Sequence, residues 1–314
     1  MSTATAAVKP SAPSDGEYTH SQIMRILMGL LMGMFLAALD QTIVSTAIRT
    51  IGDELHGLSM QAWVTTAYLI TSTIATPIYG KLGDLYGRKK LFLFAITVFV
   101  IGSFACAFAT SMTMLAVFRA VQGIGAGGLF TLALAIIGDI VPPRERAKYT
   151  GYFMATFATS SVLGPVIGGL FAETSSIVGI TGWRWVFLVN VPLGIAALFV
   201  VTRTLHLHHV RREARIDWWG AAALIVALVP LLTVAEQGRT WGWGSANAII
   251  AYVIGAIGVI AFYLAERAMG DDALIPLRIF RIRAVSVTIV ASIIVGLGMF
   301  GAMMVLPLYM QIVH

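Results

Sequence analysis

Apolar residues in this chain gather into long runs separated by short polar gaps, with no strand-length alternation between them. A helix needs about 20 predominantly apolar residues to cross the hydrocarbon core of a bilayer. Nine segments meet that length: Gln22–Thr46, Ser59–Tyr79, Leu91–Thr110, Met112–Ile140, Ala147–Ala172, Trp183–Thr202, Trp218–Glu236, Ala246–Ala265 and Ala284–Ile312. Backbone polar groups in lipid must be satisfied within the segment, so the pattern predicts an all-α integral membrane protein rather than a barrel.

The gaps orient the chain. With the amino terminus inside, nearly all of the 21 lysines and arginines fall in cytoplasmic gaps. The exceptions are Arg49, Arg184 and Arg239, on the outer side, and Arg119, within a span. Cation excess marks the cytoplasmic face, so a multi-pass protein of the cell membrane with a cytoplasmic amino terminus is expected. An error in the number of spans would scramble this asymmetry.

Composition narrows the class further. The chain is 58% hydrophobic and 11% charged, against about 25% charged in a soluble domain, so lipid must be part of its solvent. The net charge of +6 does not form the basic stripe that nucleic acid requires, and no nucleic-acid partner is expected. Cys106 is the single cysteine, so no internal disulfide can form. There is no HExxH, no cluster of His or Cys ligands, no phosphate loop and no serine beside a base–acid set. Neither an enzyme nor a cofactor nor a metal site is expected. His206, His208 and His209 have no carboxylate or cysteine at ligand spacing and read as part of a solvated loop.

The organisation follows from the gaps. Residues 1–21 are polar and read as a disordered cytoplasmic tail. Residues 22–204 hold six closely spaced helices, 205–217 a cationic loop, 218–268 a linking helix pair, and 269–314 a loop and one further helix.

Several polar residues stand where a bland span would have none. Between the second and third spans, "GKLGDLYGRKK" combines Gly80, Gly83 and Gly87 with Asp84 and four cations. Such glycines let helix ends approach a neighbour closely. An unpaired carboxylate at this depth is costly, so Asp84 should face a helix amino terminus or a cation, and Arg88 can pair with Asp139. Arg119, in "RAVQGIGAGG", is a guanidinium within a span, and its expected partner is Asp40 of "LDQTIVSTAI". At 1.5 Å per residue, the two depths agree to within about two turns. Gln41, Thr42 and Gln122 are further cavity-facing candidates. In "SSVLGPVIGGL", Gly164 and Gly168 share a helix face, with Gly169 beside them, and Pro165 removes a backbone donor and is expected to bend the helix, so these four residues read as a hinge.

These stretches resemble signatures of the major facilitator superfamily. "GKLGDLYGRKK" is similar to the loop between helices 2 and 3, understood there as a cytoplasmic latch between two six-helix halves. The resemblance implies that Asp84 caps a helix of the second half, with Arg88 and Asp139 as its charge relay. The first and fourth spans resemble two further signatures, and Gly164, Pro165, Gly168 and Gly169 match a pattern associated with antiporters. "GWRWVFLVNVPLG", "IDWWGA" and "WGW" resemble the 14-helix drug:proton antiporter branch, which also carries a helix pair after its sixth span. Arg49 departs from the branch's usual proline, Ser45 from an asparagine and Ser160 from a glycine.

The expected architecture is therefore the six-helix amino-terminal bundle, the linking pair and the first helix of the carboxy-terminal bundle, truncated after the ninth helix. The expected function is proton-coupled efflux of small lipophilic or cationic compounds by alternating access. Asp40 would exchange protons and Arg119 would tune it; protons, the substrate, the lipid bilayer and the missing carboxy-terminal helices are its partners. The alternative is a truncated, non-transporting membrane protein or assembly partner.

Overall fold

A computed structural model describes residues 18–205 and 216–313, with side chains of the last helix described as far as residue 298. Helix α1, His20–Glu54, opens with a capping box in which Thr19 and Gln22 satisfy each other's free backbone donors. Helix formation therefore begins two residues inside the stretch expected to be a disordered tail. The rest of that tail, and most of the expected loop at 205–217 with its three histidines, lie outside the described residues.

A 3₁₀ turn at Leu58–Met60 leads to α2, Gln61–Tyr86, followed by α3, Arg88–Ala107. Helices α4, Met112–Ile140, and α5, Arg146–Glu173, come next, with Ser111 capping α4 through the Met114 backbone N–H. A minimal hairpin pairs β1, Ser176–Ile177, with β2, Ile180–Thr181, antiparallel. Helices α6, Trp185–Leu188, and α7, Asn190–Thr204, are joined through Val189, which keeps helical backbone angles. The linking pair is α8, Trp218–Trp241, and α9, Ala246–Met269, and α10 covers Arg283–Val313.

Among the described residues, seven helical segments are long and apolar enough to cross a membrane, where the sequence pattern predicts nine. Helix α2 has the length but too many hydroxyls. Thr71, Ser72, Thr73 and Thr76 donate to carbonyls of their own helix, which satisfies them without water. The ninth expected span corresponds to α10, a continuous helix of 31 residues over Arg283–Val313.

Helix α4 lies between α2 and α3, while α1 packs against α5 and α7 and reaches α4. Two apolar clusters result. One is built around Leu30, Phe92, Phe99 and Leu129, the other around Ile43, Leu115, Trp183 and Phe187. The run Gly123–Gly128 makes α4 thin on both sides. A Cβ at Gly127 would lie 2.9 Å from Ala75 Cβ of α2, and one at Gly125 would lie 2.6 Å from the Ala95 carbonyl of α3. Close backbone approach of this kind is how helices associate where no hydrophobic force separates protein from lipid.

Gly125→Ala should therefore lower thermal stability in detergent by about 1–3 kcal/mol, the usual cost of overpacking. Gly138→Ala, where an added Cβ meets nothing within 4 Å, should leave the melting midpoint unchanged.

Candidate functional site

A buried ion pair occupies the junction of the two apolar clusters. Asp40 of α1 is 0% exposed and Arg119 of α4 is 1% exposed. Arg119 Nη1 donates to Asp40 Oδ2 at 2.5 Å. The other carboxylate oxygen, Oδ1, accepts from Gln122 Nε2 at 2.9 Å and from Asn190 Nδ2 at 2.7 Å. Gln122 Oε1 in turn accepts from Arg119 Nη1 at 2.7 Å. The guanidinium lies over the Tyr68 ring of α2, 4.0 Å from its centroid, a cation–π contact that offsets part of the lost hydration. Asn190 Nδ2 also donates to Ser103 Oγ, which donates to the Phe187 carbonyl.

The network joins α1, α2, α3, α4 and the start of α7. A buried ion pair loses several kcal/mol of hydration per ion and survives only where added hydrogen bonds satisfy the remaining groups. Two orphans remain within it, Arg119 Nε and Asn190 Oδ1. The side chains therefore hold unused hydrogen-bonding capacity beside the carboxylate.

Gln122 requires a correction. It was expected to face a cavity, but it is 0% exposed and both ends of its amide are bonded to the ion pair. Thr42 is half-buried, and its hydroxyl donates to the Ser160 carbonyl of α5 and to its own helix. Gln41 is half-buried on the same helix.

The charged stretch after the second span also differs from expectation. Helix α2 continues to Tyr86 and α3 starts at Arg88, so the connection is Gly87 alone, with φ of +97°. Only glycine adopts that conformation without strain. Asp84 thus sits in the last turn of α2, one turn before Arg88. Arg88 Nη2 meets Asp84 Oδ1 at 2.7 Å, and Arg88 Nη1 meets Asp139 Oδ2 at 2.7 Å and the Ala135 carbonyl. One guanidinium thereby ties the end of α2 to the end of α4. Both carboxylates are about half exposed, 48% and 49%, so each pair contributes little to stability and can open readily. A Cβ at Gly83 would lie 2.7 Å from Leu132, whereas one at Gly80 would meet only Thr131, at 3.8 Å. Close approach is required at Gly83 and not at Gly80.

On α5, Gly164 and Gly168 face α1. A Cβ at Gly164 would overlap the Thr42 side chain, and one at Gly168 would lie 2.8 Å from the Ile43 carbonyl. Gly169 has open space and takes no part in that groove. Helix α5 runs unbroken through Pro165, which is exposed, so the expected bend is not seen.

Asn190, Ser103 and Tyr68 were not foreseen. Asn190 had a readable signal, an amide entering an apolar run, where a buried polar group needs a partner. Ser103 had none, because a helical serine commonly bonds its own backbone.

Comparison with known proteins places this geometry in a family. The Major Facilitator Superfamily model matches residues 30–314. "Multidrug resistance protein 3" of Bacillus subtilis (strain 168) is 38% identical, over 92% of this chain and 55% of its own length. "Multidrug transporter protein MdtP" of the same organism is 37% identical, over 94% and 53%. "Efflux pump dotC" of Dothistroma septosporum is 36% identical, over 91% and 49%. The chain thus spans about half the length of these relatives. Among solved structures, the proton:xylose symporter XylE superposes with a TM-score of 0.53 at 16% identity, over 80% of this chain and 52% of that one. An inward-facing, occupied bacterial homologue of the human lysosomal transporter Spinster gives 0.54 at 19%, over 79% and 60%. With the family match covering nearly the whole chain and relatives of this identity, the protein is a member of the major facilitator superfamily, a family of transporters rather than enzymes, related to multidrug resistance and efflux proteins.

Proposed function

We propose that the chain carries the proton-coupling half of an efflux antiporter for small lipophilic or cationic compounds, working by alternating access in the cell membrane with its amino terminus in the cytoplasm. The observation that carries this reading is the Asp40–Arg119 pair, fully enclosed and surrounded by amides. An intramembrane carboxylate opposite a cation is a functional candidate by default. A proton arriving at Asp40 cancels its charge and frees Arg119. The pair then has a reason to part, and Arg119 Nε and Asn190 Oδ1 can take new partners. Since Asp40 is sealed from water here, proton exchange requires a second conformation that opens a path to it.

The rest of the half fits that role. Helices α1 and α5 meet along the Gly164–Gly168 face, where a close, smooth contact lets one helix move against the other. The Asp84–Arg88–Asp139 relay is exposed enough to break and re-form, as a cytoplasmic latch must. The relatives bear the names of multidrug and efflux proteins, which supports the substrate class. A second reading to be tested against it is a membrane partner that does not transport.

Vesicles reconstituted with the 314-residue chain separate the two. Substrate accumulation driven by an imposed proton gradient supports transport, and its absence while the chain remains folded supports the partner reading. Where transport is observed, Asp40→Asn should abolish gradient-driven efflux while keeping the hydrogen-bonding shape of the side chain. Undiminished efflux would remove Asp40 from the coupling role. Arg119→Ala should instead lower thermal stability by about 3–5 kcal/mol, because it leaves a buried carboxylate uncompensated.

At the α1–α5 contact, Gly164→Ala should reduce efflux strongly, and adding Thr42→Gly should restore much of it. A coupling of this kind, read in a double-mutant cycle, distinguishes the contact from two independent defects.

A further inference from the structure

A second group of buried acids lies far along the chain from Asp40, where the linking pair meets the latch region. Asp217 caps α8 and Glu266 lies in the last turn of α9; they are 2% and 1% exposed. Each spends one oxygen on a backbone donor. Gly220 N–H donates to Asp217 Oδ1 at 2.6 Å, and Ile275 N–H donates to Glu266 Oε2 at 2.7 Å. Among the described residues, the remaining oxygens, Asp217 Oδ2 and Glu266 Oε1, have no hydrogen-bond partner although both are buried. They also border the same space. A Cβ built on Gly220 would overlap Asp217 Oδ2 and lie 2.9 Å from Glu266 Oε1.

Among the described residues, few groups can neutralise them. The charge of Asp217 acts on Glu266, the Leu274 and Ile275 N–H groups face it, and Lys81 of α2 is the cation whose field reaches it. Lys81 forms no ion pair among the described residues with either acid. Two unpaired negative charges side by side in a buried site repel one another, and like-charged carboxylates so placed hold a proton between them.

We propose that Asp217 and Glu266 share one proton through Asp217 Oδ2 and Glu266 Oε1, forming a protonation site separate from Asp40. The bound proton leaves the pair with one negative charge, which Lys81 faces. Release of the proton to water adds a second negative charge, and Lys81 is placed to move toward it. Lys81 belongs to the same helical stretch as Asp84, so the charge of this site bears on the position of the latch. The inference does not depend on the chain being an exporter.

Infrared spectroscopy of the purified 314-residue chain in lipid nanodiscs tests it. At neutral pH the spectrum should contain the carbonyl band of a protonated carboxyl group. Asp217→Asn and Glu266→Gln should each shift the frequency of that band, because either change replaces a proton held between two carboxyl groups by one held on a single buried acid, and the double variant should remove it. Asn still caps α8 and Gln still accepts from Ile275 N–H, so both variants should fold with unchanged melting midpoints. Asp40→Asn and Lys81→Met should keep the band. An unshifted band in both single variants, or absence of the band from the unaltered chain, overturns the proposal. Loss in only one variant assigns the proton to that residue alone and overturns the sharing. A drop in melting midpoint in both variants would mean two ionised acids held by cations, and would overturn it as well.

Discussion

The Asp40–Arg119 pair organises this half of the molecule because its members cannot be hydrated where they lie. A carboxylate and a guanidinium at 0% and 1% exposure must find every hydrogen bond among side chains. Four helices and the start of a fifth supply them, so the pair sets which helices meet and at what rotation. Asn190 has to enter at the head of α7, Ser103 has to face it from α3, and Tyr68 has to lie flat beneath the guanidinium. The same demand makes the pair sensitive to a single proton, since neutralising one member strands the other in a low-dielectric interior.

Around this centre the helices are held by close packing rather than by expulsion from water. Lipid is as apolar as the side chains, so association relies on van der Waals fit and interhelical polar contacts. Helix α4 answers with glycine on two faces, and α5 answers with Gly164 and Gly168 against α1. The ends of α2 and α4 are instead tied by Arg88 between two half-exposed carboxylates, a contact weak enough to reverse. The bundle thus combines a tight polar centre, closely packed glycine interfaces and a weak peripheral tie.

The acids at the base of the linking pair follow the same physics with a different outcome. Asp40 has a cation within bonding distance and two amide donors. Asp217 has one backbone donor, Glu266 has the Ile275 and Leu274 N–H groups, and each has the other acid beside it. Placing a charge in a dry site requires either a counter-ion or a proton, and the two sites differ in which is at hand.

Much of the architecture was legible in the sequence because hydropathy and charge are local properties of a chain. The positions of the spans, the concentration of cations in alternate gaps, and the anomaly of Asp40 and Arg119 in apolar surroundings can be read one residue at a time. Contacts were another matter. That Gln122 serves the ion pair instead of a cavity, that Gly87 alone makes the turn, that Gly169 faces open space, and that Asn190 completes the carboxylate's shell all depend on how each helix is rotated about its axis. Rotation is decided by neighbours far away in sequence, through steric fit and the satisfaction of buried polar groups, so only the folded structure could determine it.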